Sequence, residues 1–372
     1  MSRWAWAEVS AAAIEHNVRA LTENVRSAWP VQLWAVVKAN GYGHGAVIAA
    51  RAALQGGATG LCVALVREGV ELREAGIDAP ILVLTEQPHD DVADAVTHGL
   101  QLTVYRPEML RALEAAGAGD HPVHLKLDTG MHRVGVRAEG ALAMAEAIAA
   151  SPAASLQGVC THLAVADEPD HPFTRTQLDR FDAALDELSA AGHRPPLVHA
   201  ANSAGAMVHP RARYSMVRTG IAVYGISPGA GVDGMVADLG LRPAMSVKAR
   251  VSFVQQVPAG DGISYGLRHT FTASSTVATV PIGYADGVPR RLFAAGGEVL
   301  LGGVRRPIVG VVTMDQLMVD CGDAAVAVGD EVVLIGEQAG QRITATEWAE
   351  RLGTIGYEIV CGVSARIARH EV

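Results

Sequence analysis

Short apolar runs alternate with amphipathic segments over the first two-thirds of the chain. Runs of four to eight apolar residues predict buried strands, and apolar residues spaced three or four apart predict helices. The predicted strands cover residues 33–37, 60–64, 81–84, 100–104, 123–127, 156–161, 197–201 and 216–223. Helical patterns lie between most of them, for example over residues 107–116, 141–149 and 176–191.

Eight strands that alternate with helices predict a parallel (β/α)8 TIM barrel, although a doubly wound sheet has the same alternation. The position of the polar residues favours the barrel. Polar residues that could do chemistry fall at or just after the ends of predicted strands, namely Lys38, Asp128, His162, Asn202 and Arg218. Barrel enzymes gather their reactive groups at this carboxyl edge of the strands.

The pattern changes near residue 236, where strand-like runs separated by glycine-rich turns begin. Residues 244–257 alternate like one half-buried strand, and further runs cover 276–281, 298–301, 308–312 and 331–335. One helix is predicted over 346–352. We therefore predict a barrel domain over residues 10–236 and a mostly β C-terminal domain over 237–372, joined through the glycine-rich segment 229–240.

Composition limits the function of the chain. It has 372 residues, 49% of them hydrophobic, and a net charge of −9, which argues against nucleic-acid binding. The four cysteines lie far apart in apolar, strand-like runs, so we expect buried free thiols and neither a disulfide nor a metal site; they are Cys62, Cys160, Cys321 and Cys361. A signal peptide and a transmembrane run are not evident, and we expect a cytoplasmic protein without a membrane partner.

Lys38 follows the apolar strand 33–37 and precedes three closely spaced glycines, Gly41, Gly43 and Gly45. Burial lowers the pKa of a lysine, so that its amine becomes nucleophilic and can form a Schiff base. Glycines let the backbone approach a ligand closely. On this segment alone, a lysine that simply emerges into solvent at a strand end is an equally good interpretation.

Further motifs occur along nearly the whole chain, in a fixed order with Lys38. They are residues 38–44 (KANGYGH), 127–135 (LDTGMHRVG), 161–164 (THLA) with Asp167–Glu168, 201–203 (ANS), 217–221 (VRTGI), 263–266 (ISYG), 313–316 (TMDQ) and 356–358 (GYE). Together they make the chain resemble the alanine racemase family, whose members are fold-type III enzymes that use pyridoxal 5'-phosphate. The resemblance also implies that the N-terminal strand, within residues 1–9, joins the β domain.

The resemblance implies how the cofactor would be held. Lys38 would bind it covalently, Arg218 would hydrogen-bond the pyridine nitrogen, and His162 would pack beside it and hydrogen-bond Arg218. Because an arginine cannot give up its proton, the ring nitrogen would stay unprotonated. The phosphate would be held by Tyr42, Ser203, Gly220, Ile221 and Tyr357, and Asn202 would also bind the cofactor. For Asn202 and Ser203, a simple helix N-cap is the alternative, and both interpretations can hold together.

The implied reaction interconverts L-alanine and D-alanine, which supplies D-alanine for peptidoglycan. Lys38 and Tyr265 would be bases on opposite faces of the substrate, with Tyr265 entering from the partner of a homodimer. Arg133, Met314 and Asp315 would bind or shape the substrate.

The resemblance leaves some features of the site and of the activity open. Lysines that match Lys126 in the family can be carbamylated, and the resemblance implies that Lys126 could carry the same modification. Many relatives carry cysteine where this chain has Thr313. A racemase for serine or for a broad range of amino acids is an alternative, whereas single-barrel cofactor-binding proteins lack the β domain.

Overall fold

The structure, a computed structural model, describes residues 4–26 and 30–372. The chain divides into two compact units. The barrel unit comprises Ala12–Tyr42 and Ala46–Arg242, and the β unit comprises the N-terminal segment to Ala11, Gly43–Gly45 and Pro243–Val372. The domain boundary at residues 236 and 237 that the sequence suggests remains a prediction.

The barrel unit is a nearly closed parallel barrel. After β1 (Ala5–Val9), which belongs to the β unit, the strands are β2 (Gln32–Val36), β3 (Gly60–Val63), β4 (Ile81–Val83), β5 (Gln101–Val104), β6 (His121–Asp128), β7 (Val136–Arg137), β8 (Ala154–Cys160), β9 (Leu197–His199) and β10 (Met216–Thr219). Eight of them pair in the order β10-β2-β3-β4-β5-β6-β8-β9, and β7 pairs with β6. Backbone hydrogen bonds from Ser215 to Val198 and from Arg218 to Ala201 link the two ends of this order. The predicted (β/α)8 fold is confirmed.

Helices and turns connect these strands. They are α1 (Ala11–Val25), α2 (Lys38–Tyr42), α3 (Ala46–Gln55), α4 (Val66–Glu74), α5 (Val92–Thr97), α6 (Pro107–Ala115), α7 (Ala141–Ala150), α8 (Phe173–Ala190), α9 (Ser203–Val208) and α10 (Asp233–Asp238). Short 3-10 turns cover His89–Asp91, Ala138–Gly140, Pro210–Ala212, Ile221–Tyr224 and Ala230–Val232. In α6 the fixed φ of Pro107 suits the first helical position, and the apolar residues Met109, Leu110 and Leu113 are buried.

Glycines make room for rings between neighbouring barrel strands. Gly60 on β3 pairs with Trp34 on β2, and Gly158 on β8 pairs with His124 on β6. A Cβ atom at either glycine would overlap the ring of its partner. Since packed interiors leave no spare volume, a larger residue at either position would force a ring to move. Gly158 thereby accommodates a histidine inside an apolar core.

The β unit is built on a mostly antiparallel sheet. Its remaining strands are β11 (Met245–Arg250), β12 (Phe253–Val257), β13 (Gly262–Ile263), β14 (His269–Thr270), β15 (Ser275–Val280), β16 (Glu298–Leu301), β17 (Val304–Val309), β18 (Leu317–Gly322), β19 (Glu331–Gln338), β20 (Gln341–Ile343) and β21 (Ala368–Glu371). Two helices, α11 (Ala345–Leu352) and α12 (Gly356–Cys361), and 3-10 turns over Tyr265–Leu267 and Tyr284–Asp286 complete the unit.

The main sheet has the order β12-β15-β18-β17-β16-β19-β11-β1-β21, with β20 on β19, while β13 and β14 form a separate hairpin. Strand β1 runs antiparallel to β11 and parallel to β21. The expected place of the N-terminal strand in the β domain is therefore confirmed, although residues 1–3 of the predicted segment lie outside the described residues.

Two predicted elements in the second part of the chain differ from the structure. Residues 244–257 form two strands, because the chain changes partners at Val251 and Ser252: β11 pairs with β1 and β19, whereas β12 pairs with β15. Backbone hydrogen bonds from Val251 to Asp330 and from Ser252 to Thr279 fix the point at which the chain changes partners. The glycine-rich segment 229–240 is not only a turn, since it contains α10.

The prediction for the cysteines is right for three of the four. Cys62, Cys160 and Cys321 are buried free thiols in strands, but Cys361 is exposed at the end of α12. Ile359 and Val360 are buried beside it, so the run looked strand-like. Helical periodicity turns the next residue outward. Within residues 4–26 and 30–372, no helix is long and apolar enough to cross a membrane.

Candidate active site at the carboxyl ends of the barrel strands

The predicted site residues divide between the two units. Lys38, Tyr42, Lys126, Arg133, His162, Asn202, Ser203, Arg218, Gly220 and Ile221 belong to the barrel unit, whereas Tyr265, Met314, Asp315 and Tyr357 belong to the β unit. Those of the barrel unit lie on its strands near their carboxyl ends or in the segments that follow. Because the strands are parallel, these ends meet at one edge of the barrel.

Lys38 begins α2, which is a left-handed turn and not a regular α-helix. The φ angles are 52° at Ala39, 53° at Asn40, 61° at Gly41 and 51° at Tyr42. Each left-handed residue other than glycine costs roughly 1–2 kcal/mol. Glycine suits position 41 because of its positive φ and also because an added Cβ would lie 3.0 Å from the Cβ of Ala49. The sequence indicated a glycine-rich loop, and in the structure three non-glycine residues adopt the strained conformation as well.

Hydrogen bonds hold this turn in place. The Gly41 N–H donates to the Val37 carbonyl at 2.8 Å. The Ala46 N–H donates to Asn40 Oδ1, also at 2.8 Å. Strain of this kind persists where the surroundings determine the backbone, and it concentrates at functional sites. The turn therefore fixes the backbone that carries the half-buried Lys38.

Ser203, Gly220 and Tyr42 form a cluster of hydroxyl and backbone N–H groups. The buried Ser203 Oγ accepts hydrogen bonds from the Gly220 N–H at 2.9 Å and from the Ala222 N–H at 3.4 Å. A Cβ at Gly220 would lie 2.5 Å from the Tyr42 hydroxyl oxygen. Asn202 Oδ1 caps α9 by accepting from the Gly205 N–H at 2.9 Å, so its alternative role as an N-cap is confirmed. Groups of this kind bind an anion without a buried counter-charge.

Arg218 is a buried cation surrounded by neutral acceptors. Only 5% of it is exposed. Its Nη1 donates to His199 Nδ1 at 2.5 Å, and its Nη2 donates to the carbonyls of Thr161 at 2.9 Å and Ala200 at 3.3 Å. Nη2 also lies 3.3 Å from His162 Nδ1, which is the hydrogen bond that the resemblance implied. Within the described part of the chain, no carboxylate forms an ion pair with Arg218.

A directed chain of hydrogen bonds runs inward from Arg218. Because an arginine only donates, His199 Nδ1 must accept, and the proton of its neutral ring then lies on Nε2. That proton is shared with His124 Nδ1 at 2.8 Å, and His124 Nε2 in turn donates to Gln101 Oε1 at 2.7 Å. Both histidines are thus held as the same tautomer.

Burial keeps these rings neutral. Burial, reinforced by the charge of Arg218, lowers the pKa of His124 to about 3. The same two causes hold the pKa values of His162 and His199 well below the ordinary value. Sequence reasoning missed His124 and His199. Their signal was a histidine inside each of the largely apolar runs 123–127 and 197–201.

Lys126 is the second buried cation of this region. Its Nζ donates to the Leu127 carbonyl at 3.0 Å, and it is 8% exposed. Burial is the main reason why its pKa falls to about 8, and the charges of Arg218 and Arg133 lower it further. At neutral pH such an amine is uncharged far more often than that of an ordinary lysine.

Asp128 organises the loop that carries Arg133. Its Oδ1 accepts from the backbone N–H groups of Gly130 and His132, both at 3.0 Å. Burial alone would raise the pKa of this carboxyl, but the hydrogen bonds hold it below its usual value. Arg133 itself is exposed in the chain. The carboxylate is thus already engaged by its own loop.

The β unit carries its predicted site residues on turns and on helix α12. Tyr265 opens the turn Tyr265–Leu267 and is 70% exposed. The preceding Ser264 donates through Oγ to the Val311 carbonyl at 2.7 Å, which ties this turn to the segment before Met314. Asp315 accepts from Arg366 Nη2 at 2.6 Å, so its charge is partly neutralised. Tyr357 lies in α12.

A metal centre is not formed by these residues. Within residues 4–26 and 30–372, no group of three or more His, Cys, Asp and Glu side chains could hold a metal ion. The reactive groups of the region are amines, guanidinium groups and hydroxyls.

Two family models match the chain in the order of its two units. Residues 9–228 match the model "Alanine racemase, N-terminal domain", and residues 244–371 match "Alanine racemase, C-terminal domain". Together they cover most of the sequence.

Curated relatives and solved structures agree with these models. An alanine racemase of Symbiobacterium thermophilum is 50% identical over 368 residues, which are 98% of this chain and 96% of the relative. The crystal structure of alanine racemase from a D-cycloserine-producing Streptomyces lavendulae matches with a TM-score of 0.93 and 39% identity, over 100% of this chain and 98% of that one. A structure from Bacillus anthracis with bound L-Ala-P has the same TM-score at 40% identity, over 100% of this chain and 96% of that chain.

The neutral buried histidines predict a loss of stability in acid. Below their ordinary pKa of about 6.5, the unfolded chain takes up protons that folded His124, His162 and His199 do not. Stability should therefore be full above pH 6.5 and fall as the pH is lowered toward the depressed pKa values. Each histidine adds about 1.4 kcal/mol per pH unit. Urea unfolding between pH 5 and 7.5 measures the slope.

A pair of variants isolates the contribution of one ring. His124→Gln should reduce the slope by about one proton. His89→Gln, at an exposed position, should leave it unchanged. An unaltered slope for His124→Gln would contradict a neutral His124.

Proposed function

Since the chain belongs to the alanine racemase family, we propose that it interconverts L-alanine and D-alanine with Lys38 and Tyr265 as the two bases and with pyridoxal 5'-phosphate as cofactor. The match to both family models over nearly the whole chain carries this proposal. The product would supply D-alanine for peptidoglycan in the cytoplasm.

The barrel unit fits a phosphorylated cofactor. At Gly220 the absent side chain leaves room beside the Tyr42 hydroxyl, and Ser203 and two backbone N–H groups meet there. Lys38 would hold the cofactor covalently, and Arg218 would donate a hydrogen bond to the pyridine nitrogen without releasing its proton. The other residues that would bind it are His162, Asn202, Ile221 and Tyr357. When bound, the cofactor withdraws electrons from the α-carbon of the amino acid and so weakens its C–H bond.

Racemisation requires a proton to leave one face of the α-carbon and another to arrive on the opposite face. Tyr265 would remove the proton from L-alanine, while Lys38 would deliver one to the other face. D-alanine would use the two groups in reverse. Arg133 and the backbone of Met314 would hold the substrate carboxylate, and Asp315, whose charge Arg366 offsets, would form the wall.

The two-base assignment predicts unequal effects on the two enantiomers. In D2O, Tyr265→Phe should slow exchange of the α-proton of L-alanine about 100-fold or more, since a lost acid–base group costs this much. Exchange from D-alanine should fall far less, because Lys38 still serves that face. Lys38→Ala should abolish exchange from both, as the cofactor loses its covalent anchor. NMR of the substrate α-proton measures each rate.

Two comparisons frame this experiment. Tyr214→Phe, which lies before the amino end of β10 and therefore at the opposite edge of the barrel, should exchange both enantiomers like the parent protein. The parent should prefer alanine in a panel of L- and D-amino acids and support a bacterium that requires D-alanine. Faster turnover of serine would indicate the alternative specificity. Equal losses for both enantiomers in Tyr265→Phe would contradict the two-base assignment.

We further propose that the active form is a homodimer with shared sites. Exposed apolar side chains on the β unit support this, since Tyr265, Leu267 and Met314 are 70%, 65% and 52% exposed. Apolar residues exposed together are typical of an interface. Tyr265 of one subunit would then face Lys38 of the partner across a two-fold axis.

Mixing two inactive variants tests the shared site. Lys38→Ala and Tyr265→Ala chains, after subunit exchange, should recover about a quarter of parental activity, because half of the dimers are hybrids with one intact site. Mixing Lys38→Ala with the double variant Lys38→Ala/Tyr265→Ala should recover none. Absence of recovery, with exchange verified by mass, would rule out shared sites.

We also propose that Lys126 carries a carbamate. Its uncharged amine would attack CO2 and release one proton, and the resulting anion would lie in the positive field of Arg133 and Arg218. The chain has only three lysines, Lys38, Lys126 and Lys248, which makes the modification easy to assign.

The carbamate predicts a carbon signal that depends on Lys126. In ¹³C-bicarbonate, the protein should show a carbamate resonance in ¹³C NMR, and Lys126→Ala should lose it. Lys248→Ala should keep it, because the Lys248 amine is already engaged in an ion pair with Glu8 at 2.8 Å. A signal that survives Lys126→Ala would refute the assignment.

A further inference from the structure

Glu68 joins the strained turn after Lys38 to the next strand of the barrel. It lies in the first turn of α4, and its Oε1 accepts a hydrogen bond from the Ala39 N–H at 2.6 Å. Its Oε2 accepts from the N–H groups of Ala64 at 2.8 Å and Leu65 at 3.0 Å. One carboxylate thus binds backbone from two neighbouring strand ends.

The two carboxylate oxygens of Glu68 have different roles. A glutamate at the third position of a helix ordinarily caps the helix start, and the bonds of Oε2 to Ala64 and Leu65 accomplish that. Oε1 is not needed for the cap. Instead, it binds the residue directly bonded to Lys38, and hydrogen bonds to an ionised acceptor are about twice as strong as neutral ones.

The hydrogen bond from Ala39 to Glu68 lies in a strained part of the backbone. Ala39 is the first of four residues with positive φ, and unlike Gly41 it has a side chain that disfavours this conformation. Two other hydrogen bonds of the turn, at Asn40 and Gly41, join residues close in sequence, Ala46 and Val37. The bond from Glu68 adds a restraint from helix α4 at the first strained residue.

We propose that Glu68 is a positioning residue for Lys38, which holds the left-handed turn so that the lysine amine stays at a fixed place on the barrel edge. The role of Lys38 in proton transfer rests on the function proposed above, whereas the restraint on the turn does not. Misplacement of a reacting group by about 1 Å can cost on the order of 100-fold in rate.

A series at this position separates the two oxygens. Glu68→Ala should lower kcat for both enantiomers about 10- to 100-fold with little change in KM, because the turn relaxes. Glu68→Asp should still cap α4, but its shorter side chain should not reach Ala39, so kcat falls while the melting temperature changes little. Glu68→Gln should lie between, since one oxygen cannot serve both sets of donors. Glu71→Ala, at an exposed position one turn along the same helix, is the control.

Two readouts are specific to positioning. Amide hydrogen exchange of the segment 38–42 in the holoenzyme should accelerate in Glu68→Ala and not in Glu71→Ala. Ala39→Gly, which adopts positive φ without strain, should make the loss caused by Glu68→Ala smaller in the double variant.

Glu68 is only a helix cap if Glu68→Ala lowers the melting temperature while exchange of 38–42 and kcat stay at parental values. Accelerated exchange in a protein whose parent shows no racemisation would uphold the restraint and count against the proposed function instead. Faster exchange with unchanged kcat would overturn the positioning role of Glu68.

Discussion

The buried guanidinium of Arg218 is the constraint on which the core of the barrel depends. An unpaired charge in a protein interior is tolerated only when hydrogen bonds replace the water that it has lost. Here the acceptors are two backbone carbonyls and the rings of His162 and His199. A carboxylate in their place would neutralise the cation and remove the positive potential of the barrel edge. Neutral acceptors keep that potential available to an anionic ligand.

The need of Arg218 for hydrogen-bond acceptors also determines the arrangement of residues on other strands of the barrel. His199 can accept from Arg218 only as one tautomer, and that tautomer obliges His124 to accept and Gln101 to end the chain. His124 in turn needs the space that Gly158 leaves on the neighbouring strand. A polar row therefore crosses an apolar barrel with every member satisfied, which is the condition under which buried networks add rigidity. The orientation of one cation is thus set by residues on four strands.

Local patterns predicted most of the barrel, and non-local contacts account for what they missed. The runs 33–37 and 81–84 were recognisable because parallel strands are apolar on both faces. The break inside 244–257 depends on hydrogen bonds from Ser252 to Thr279 and from Val251 to Asp330, which are 27 and 79 residues away and which no local pattern reveals. Cys361 was misplaced because a short apolar run does not distinguish a strand from a helix. The left-handed turn at Ala39 escaped notice because distant restraints override the preference of alanine.

The scarcity of lysine has a practical consequence. Of 30 basic side chains other than histidine, three are lysines; Lys126 is buried, Lys38 is half-buried and Lys248 is held by Glu8. The surface carries its positive charge on guanidinium groups, which amine-directed reagents do not modify. Reagents such as succinimidyl esters or glutaraldehyde therefore have few reactive amines among these side chains. Immobilisation or fluorescent labelling of this protein is better directed to the exposed thiol of Cys361.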